Sequence, residues 1–247
     1  MLKEERQQFI INQINIHNKV LSTDLSNNLK VSEDTVRRDL NELAEQGKIV
    51  KVHGGALSRS FHYPLSGREV YNKTGKKEIA RKAVTLIEDG MVLLMGGGTT
   101  MIELARTLPD NLHCTIFTIS PLVGLELVEH HNITVNLLGG QLASNSHVVT
   151  GSQVISQLSE IRADLCFLGT NSLSITHGIT DSDWEVVQLK KSMIKSANRT
   201  VILSIAEKLD SSQKMQICNL NAVDFIITDV SPDDDNLKKY SKTVIVL

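Results

Sequence analysis

Aromatic side chains make up only 4% of the 247 residues, with a single tryptophan. Proteins that hold single-stranded nucleic acid by stacking need more rings than this, which argues against that class. Cysteine is scarce too. Cys114, Cys166 and Cys218 are an odd number, lie far apart and sit in apolar stretches. Such a set gives no disulfide framework and no metal-ligand spacing, so no metal or cofactor is expected. Buried thiols in a reducing cytoplasm are expected instead. Neither charge sign dominates, the net charge being −2, so polyanion binding through bulk charge is excluded. No apolar run approaches the ~20 residues that cross a bilayer. Met1 to Arg6 runs straight into a polar helix, so no secretory leader and no membrane attachment is expected. What remains, 41% hydrophobic and 22% charged, is ordinary globular material for one large or two modest domains.

The most informative segment is Ser32-Glu33-Asp34-Thr35-Val36-Arg37-Arg38-Asp39-Leu40. Ser32 can cap a helix by accepting a first-turn N–H. Val36, Leu40 and Leu43 recur at helical spacing and form one buried stripe. Asp34, Arg38 and Asn41 then point the other way, with Arg37 on the flank. Two arginines beside short polar groups suit phosphates and base edges. Upstream, Ile10 and Ile14 mark a helix from Glu4 to about Asn15, and Ser22 can cap a short helix holding Leu25 and Leu29. Val31 in the following turn can plug the core. Long, short and recognition helix in that order make a helix-turn-helix. Gly47 can stop the third helix. Lys48 to Val52 alternates as a strand, and His53-Gly54-Gly55-Ala56 turns out of it, making a wing.

Residues 1–57 carry eight lysines and arginines against eight acids. Binding to DNA must therefore rest on the placement of charge, and on two or more copies acting together. The expected contacts are Ser32, Thr35, Arg37, Arg38 and Asn41, with Lys51 and His53 in the wing.

These residues resemble the DeoR family of bacterial transcriptional regulators. The resemblance rests on Arg6, Ile10, Ile14, Val31-Ser32, Thr35 to Leu40, Leu43, Gly47 and His53-Gly54-Gly55-Ala56. It continues through Lys77-Glu78-Ile79-Ala80, Gly98-Thr99-Thr100, Leu138-Gly139-Gly140, Phe167-Leu168-Gly169 and Lys190-Lys191. It implies a C-terminal domain that senses sugar phosphates, of the kind shared with ribose-5-phosphate isomerase.

The pattern of the second half agrees with an α/β domain. Residues 58–74, with Pro64 and Gly67, read as a linker between a domain at 1–57 and one at 75–247. Beyond it, short apolar runs at Met91–Met95, His113–Thr118, Ile133–Leu138, Asp164–Leu168, Thr200–Ser204, Phe225–Thr228 and Thr243–Leu247 alternate with helical stretches such as Lys76–Glu88 and Trp184–Asn198. That is a doubly wound, mostly parallel sheet. Its ligands gather where the strands end. Gly97, Gly98, Thr99 and Thr100 open a helix after a strand, which suits a phosphate. The run is neither a dinucleotide fingerprint nor a P-loop, since the third glycine and the lysine are missing. Gly139 and Gly140 follow another strand, as does Gly169-Thr170-Asn171. Asp181, Asp183 and Glu185 could accept sugar hydroxyls, while Lys191 or Lys208 offsets phosphate charge. Trp184 is expected to be a packing anchor. Three positions depart from the family pattern: Ile119 stands where Asn is usual, Ile205 where Asp is usual, and the acid usual just before Val187 is displaced to Glu185 or replaced by Val186. An effector less polar on the side of Ile119 and Ile205, or weakened sensing, is the expectation.

The reading is a regulator, a repressor of carbohydrate metabolism genes, that binds double-stranded operator DNA as a homodimer or homotetramer and answers to a phosphorylated sugar. An isomerase-like enzyme on the same fold is the alternative, although no compact catalytic constellation is visible.

Overall fold

The computed structural model describes residues 1–58, 70–144 and 146–247. The chain divides into two compact units, Met1–Tyr71 and Asn72–Leu247. The linker expected at 58–74 falls mostly outside the described residues. Of its ends, Ser58 belongs to a strand, and Lys73 and Thr74 to a helix.

The first unit runs α1 (Lys3–His17), β1 (Lys19–Leu21), α2 (Ser22–Leu29), α3 (Glu33–Glu45), β2 (Ile49–Val52) and β3 (Gly55–Ser58). The apolar stripes meet as expected: Ile10, Ile14, Leu25, Val36, Leu40 and Leu43 form one core with Ile49 and Ala56, and Val31 packs against it. Ser26 Oγ donates to the Val31 carbonyl at 2.6 Å, closing the turn between α2 and α3. The Ser32 hydroxyl accepts the Thr35 N–H at 3.2 Å. At the other end of α3, Gly47 takes φ +68°. Lys48 N then donates to Leu43 O and Gly47 N to Ala44 O, both at 2.9 Å. This paired closure needs a residue free to enter the left-handed region, hence glycine. Ser22 is the first residue of α2 rather than its cap. Leu21 stands in the cap position with no side-chain bond, because β1 delivers the chain directly into the helix.

The three strands form an antiparallel sheet in the order β1-β3-β2. Only His53 and Gly54 make the turn, whereas Gly55 and Ala56 already pair with Val52 and Lys51. Gly55 is needed for a steric reason. A β-carbon there would lie 2.0 Å from the Val20 carbonyl oxygen, on the neighbouring strand.

The second unit is a seven-stranded parallel sheet, in which β4 (Val92–Met95), β5 (Cys114–Thr118), β6 (Ile133–Leu137), β9 (Ala163–Gly169), β12 (Ala197–Leu203), β14 (Phe225–Ile227) and β15 (Ile245–Val246) lie in the order β15-β14-β12-β9-β4-β5-β6. All seven are the apolar runs of the sequence. The helices are α4 (Lys73–Val84), α5 (Thr99–Thr107), α6 (Pro121–Leu127), α7 (Ser152–Ser159) and α8 (Trp184–Lys195). Strand side chains alternate between faces. Leu94, Cys166, Leu168, Ile202 and Ile226 share one core with Val154 and Leu158 of α7 and Val187 and Met193 of α8. The opposite parity, Leu93, Met95, Leu165, Phe167 and Ile227, is buried as well. A sheet covered on both faces explains strands that read as near-continuous apolar runs. Cys114 and Cys166 are buried free thiols, and burial pushes Cys114 up to about 11. Cys218 is only partly buried.

Two small antiparallel pieces were not legible in the sequence. One is a sheet of β10 (Ser172–Ser174), β11 (Gly178–Asp181) and β13 (Met215–Cys218). The other is a two-strand ribbon, β7 (Gln141–Leu142) with β8 (Val149–Thr150). Their strands, two to four residues long, are too short for a pattern to stand out.

Candidate functional site

In the first unit the outer face of α3 carries Arg37, Arg38 and Asn41, all exposed, and the wing adds exposed Lys51 and His53. The Lys51 ammonium donates to the Asn41 side-chain oxygen, so wing and recognition helix are fastened into one surface. Ser32 and Thr35 join hydroxyls at 2.9 Å at its N-terminal end. Arg37 and Arg38 both reach Asp34, the latter at 2.8 Å.

The even charge count hides a separation of roles. Asp39 is only 2% exposed and is gripped by the Arg6 guanidinium of α1 at 2.5 Å. That hydrogen bond is the main reason the Arg6 pKa is raised. Glu42 is bound by Lys3 at 2.7 Å and by the Gln7 amide at 2.9 Å. These two acids of α3 thus hold α1, Asp39 on the side turned away from Asn41 and Glu42 on the flank next to Arg38. The potential of the outer face is then set by Arg37, Arg38 and Lys51 with Asp34 among them. Sequence reading placed Asp39 in the motif without seeing this role.

In the second unit the strands are parallel, so the loops after β4, β9, β12 and β14 lie along one edge of the sheet. At this edge the Lys208 ammonium, in the loop after β12, donates to the Thr170 carbonyl at 2.7 Å. Next to Thr170, the Asn171 amide reaches both Asp181 oxygens, at 3.2 and 3.3 Å. Lys190 Nζ lies 3.1 Å from Asp181, and the Ser182 N–H donates to it at 2.8 Å. Burial alone would raise the Asp181 pKa, but Lys190, Ser182 and Asn171 outweigh burial and keep it below the ordinary value. Burial depresses Lys208 to about 7, reinforced by the charges of Lys76 and Lys190. Lys76, on the buried face of α4, is lowered to about 8 by burial. Lys208 therefore feels the charges of Lys76 and Lys190, opposed by Asp181 and Glu207, while Lys76 itself faces Glu103, Glu207 and Asp229.

Other expected residues are placed differently. Lys191 is one step, ~100°, further round α8 than Lys190, and it acts on Cys218 rather than on Asp181. The cation opposite Asp181 is Lys190, and neither it nor Lys76 stood among the expected residues. Lys76 was detectable, since it lies on the stripe of Ile79, Ala80 and Ala83. Asp183 caps α8, accepting from Glu185 N at 3.1 Å and Val186 N at 3.4 Å, so it is already engaged. Trp184 is 59% exposed, not a packing anchor, because the first turn of α8 faces solvent there.

Gly97, Gly98, Thr99 and Thr100 form the half-buried turn into α5. Gly98 occupies the cap position with φ +107°, and a β-carbon on Gly97 would lie 2.4 Å from a Val148 methyl. Gly139 exchanges backbone bonds with Gln157, its N–H donating to Oε1 at 3.0 Å. A β-carbon at Gly140 would lie 2.9 Å from the Thr150 carbonyl. Packing beneath the β7–β8 ribbon thus requires glycine at Gly140, whereas a β-carbon at Gly139 would meet only ordinary contacts. Ile119 and Ile205 are both buried, Ile119 within the core with Leu138 and Val149.

Comparison with known proteins bears on both units. Residues 6–61 match the DeoR-like helix-turn-helix domain, and residues 71–230 the DeoR C terminal sensor domain. The HTH-type transcriptional regulator GlpR of Haloferax volcanii is 33% identical over 96% of this chain and 93% of its own length. The HTH-type transcriptional repressor GlcR of Bacillus subtilis is 34% identical over 94% and 91%. The L-fucose operon activator of Escherichia coli is 32% identical over 92% and 96%. Among solved structures, ribose 5-phosphate isomerase A from Methanocaldococcus jannaschii is similar over 56% of this chain and 55% of that one, at 22% identity and a TM-score of 0.42. With both domain models matched in order and full-length relatives that are regulators and not enzymes, the chain belongs to the DeoR family of DNA-binding transcriptional regulators.

Proposed function

We propose that the protein is a repressor of carbohydrate metabolism genes, working in the cytoplasm, whose hold on operator DNA is set by a phosphorylated sugar. The observation that carries this reading is the placing of Lys208 on the Thr170 carbonyl, beside Asn171 and Lys190 on Asp181, at the strand-end edge of the sheet. Burial and the charges of Lys76 and Lys190 disfavour the ammonium form of Lys208, a cost that an entering dianion relieves. Asp181 and Asn171 provide acceptors and donors suited to sugar hydroxyls. The glycine turn and the start of α5 add backbone N–H groups for phosphate oxygens. The apolar Ile119 and Ile205 suit an effector with fewer hydroxyls on their side.

Repression rather than activation follows GlcR, whereas the fucose relative shows that the opposite sign occurs among similar chains. A homodimer or homotetramer would present two recognition helices to two half-sites, which suits a face with few net charges. Coupling between sites must be reciprocal: an effector that weakens operator binding is itself bound less well on DNA.

The test is a titration of the purified protein onto its own upstream DNA by fluorescence anisotropy, at fixed salt, with a panel of sugar phosphates and their unphosphorylated counterparts. One phosphorylated sugar should relieve specific binding while its free sugar does nothing. Equal action of the free sugar would remove the case for the lysine cluster. In the same assay Arg37→Ala or Arg38→Ala should lower operator affinity about tenfold, the scale of a lost base or phosphate contact. Effector binding, followed by calorimetry without DNA, should stay unchanged. Unaltered operator curves for both variants would displace the proposed contact face.

A further inference from the structure

Asp34 stands at the centre of the presumed DNA face. At 100° per residue, Asn41, Arg38 and Arg37 lie about 20°, 40° and 60° from it around α3. Its carboxylate is shared by both arginines: Arg37 on one oxygen, Arg38 on the other at 2.8 Å. The arginine side chains are 67% and 79% exposed and Asp34 is 45% exposed, so the pairs form in solvent and contribute little to folding. Nor does the helix need this acid to start. Ser32 caps α3, and Glu33 already places a negative charge in its first turn. A carboxylate in the middle of a surface meant for DNA needs another reason.

We infer that Asp34 is a specificity-determining residue, holding Arg37 and Arg38 in ion pairs that ordinary DNA displaces poorly and operator bases displace well. The inference rests on α3 being the recognition helix. Against arbitrary DNA the carboxylate meets phosphate charge, and the arginines must leave it to gain a phosphate each. In the major groove of the operator two kinds of partner replace what is lost. A guanine edge accepts a guanidinium through O6 and N7, and the exocyclic amino group of cytosine or adenine donates to a carboxylate. Discrimination then comes as much from a repulsive element against the wrong partner as from attraction to the right one.

The experiment compares the full chain with Asp34→Asn, which keeps the shape and removes the charge, on operator and on scrambled duplex across a salt series. The variant should bind scrambled DNA about fivefold to tenfold more tightly at ~0.1 M salt, with a salt slope steeper by about 0.9, the equivalent of one further phosphate contact. Operator affinity should stay within about twofold, so the ratio of the two falls at least about 2.5-fold. If both affinities rise by the same factor, Asp34 sets only overall charge, and the inference is overturned. Unchanged binding to scrambled DNA overturns it as well. A wild-type chain with no preference for operator over scrambled duplex would instead remove the recognition-helix reading beneath it. Far-ultraviolet circular dichroism of the variant, expected to match wild type, confirms that α3 is intact.

Discussion

Arg6→Ala should unfold the DNA-binding unit locally, at a cost of about 3 kcal/mol. Asp39, 2% exposed in the native protein, loses its ion-pair partner in the variant. The remaining side-chain donor is the Gln7 amide, at 3.4 Å and already shared with Glu42. A buried carboxylate without its cation is far more costly than the pair was favourable. Amide hydrogen exchange would register the effect in α1 and α3, with the strands of the second unit unaffected. The control is the double replacement Arg6→Met with Asp39→Leu, which exchanges the pair for apolar contact against the Ile10–Leu40 core. It should recover most of the lost protection. Protection in Arg6→Ala equal to wild type would mean that the pair does not brace α3 against α1. Operator binding follows the same logic: a loosened α1 frees α3 from its angle to the wing, even though Arg6 lies on the side away from the DNA face.

That pair shows what a sequence conveys and what it withholds. Val36, Leu40 and Leu43 are legible because apolar residues at helical spacing have few other destinations, and Ser32 and Gly47 are legible because helix ends demand them. Asp39 reads as one more polar residue of the helix, and nothing local tells that its partner lies 33 residues earlier. The sensor unit divides in the same way. Its seven parallel strands are visible as apolar runs bounded by glycine or helices, since burial on both faces leaves no room for polar alternation. The site at their ends is less visible. Lys190 and Lys191 are adjacent in sequence, and only the phase of α8 decides which of them faces Asp181. Gly139-Gly140 looks like an anion loop, but only the structure shows that Gly140 must also be glycine to fit beside Val149 and Thr150. Lys76 sits where an apolar residue would satisfy the stripe of α4, and a charged residue at such a position is itself a signal of function.

The second large effect is a dependence of effector affinity on pH. In the ligand-free protein burial holds Lys208 at about 7 and Lys76 at about 8. A phosphate dianion favours the charged form of both, so binding above these values must draw protons from solvent. Affinity should fall as pH rises from about 7 towards 9, by up to tenfold per pH unit for each proton taken up. Below about 6 it should fall again as the phosphate becomes a monoanion, leaving an optimum between about 6 and 7. The protein's own stability runs the other way. Both lysines are depressed below the ordinary lysine value, so the unfolded chain holds more protons from about pH 7 up to about 10.5, and their contribution to stability rises across that window and is lost as pH falls through it. Calorimetry at pH 8 in buffers of different ionisation heat should therefore show net uptake approaching one proton or more per site. Lys208→Met, which keeps an unbranched side chain one atom shorter and removes the titrating group, should weaken the effector about 100-fold. It should also flatten the profile between pH 7 and 8, leaving the Lys76 step above it. A loss of affinity with the profile intact would make Lys208 a packing element of the loop after β12. No proton uptake by the wild-type protein at pH 8 would place the phosphate away from both lysines.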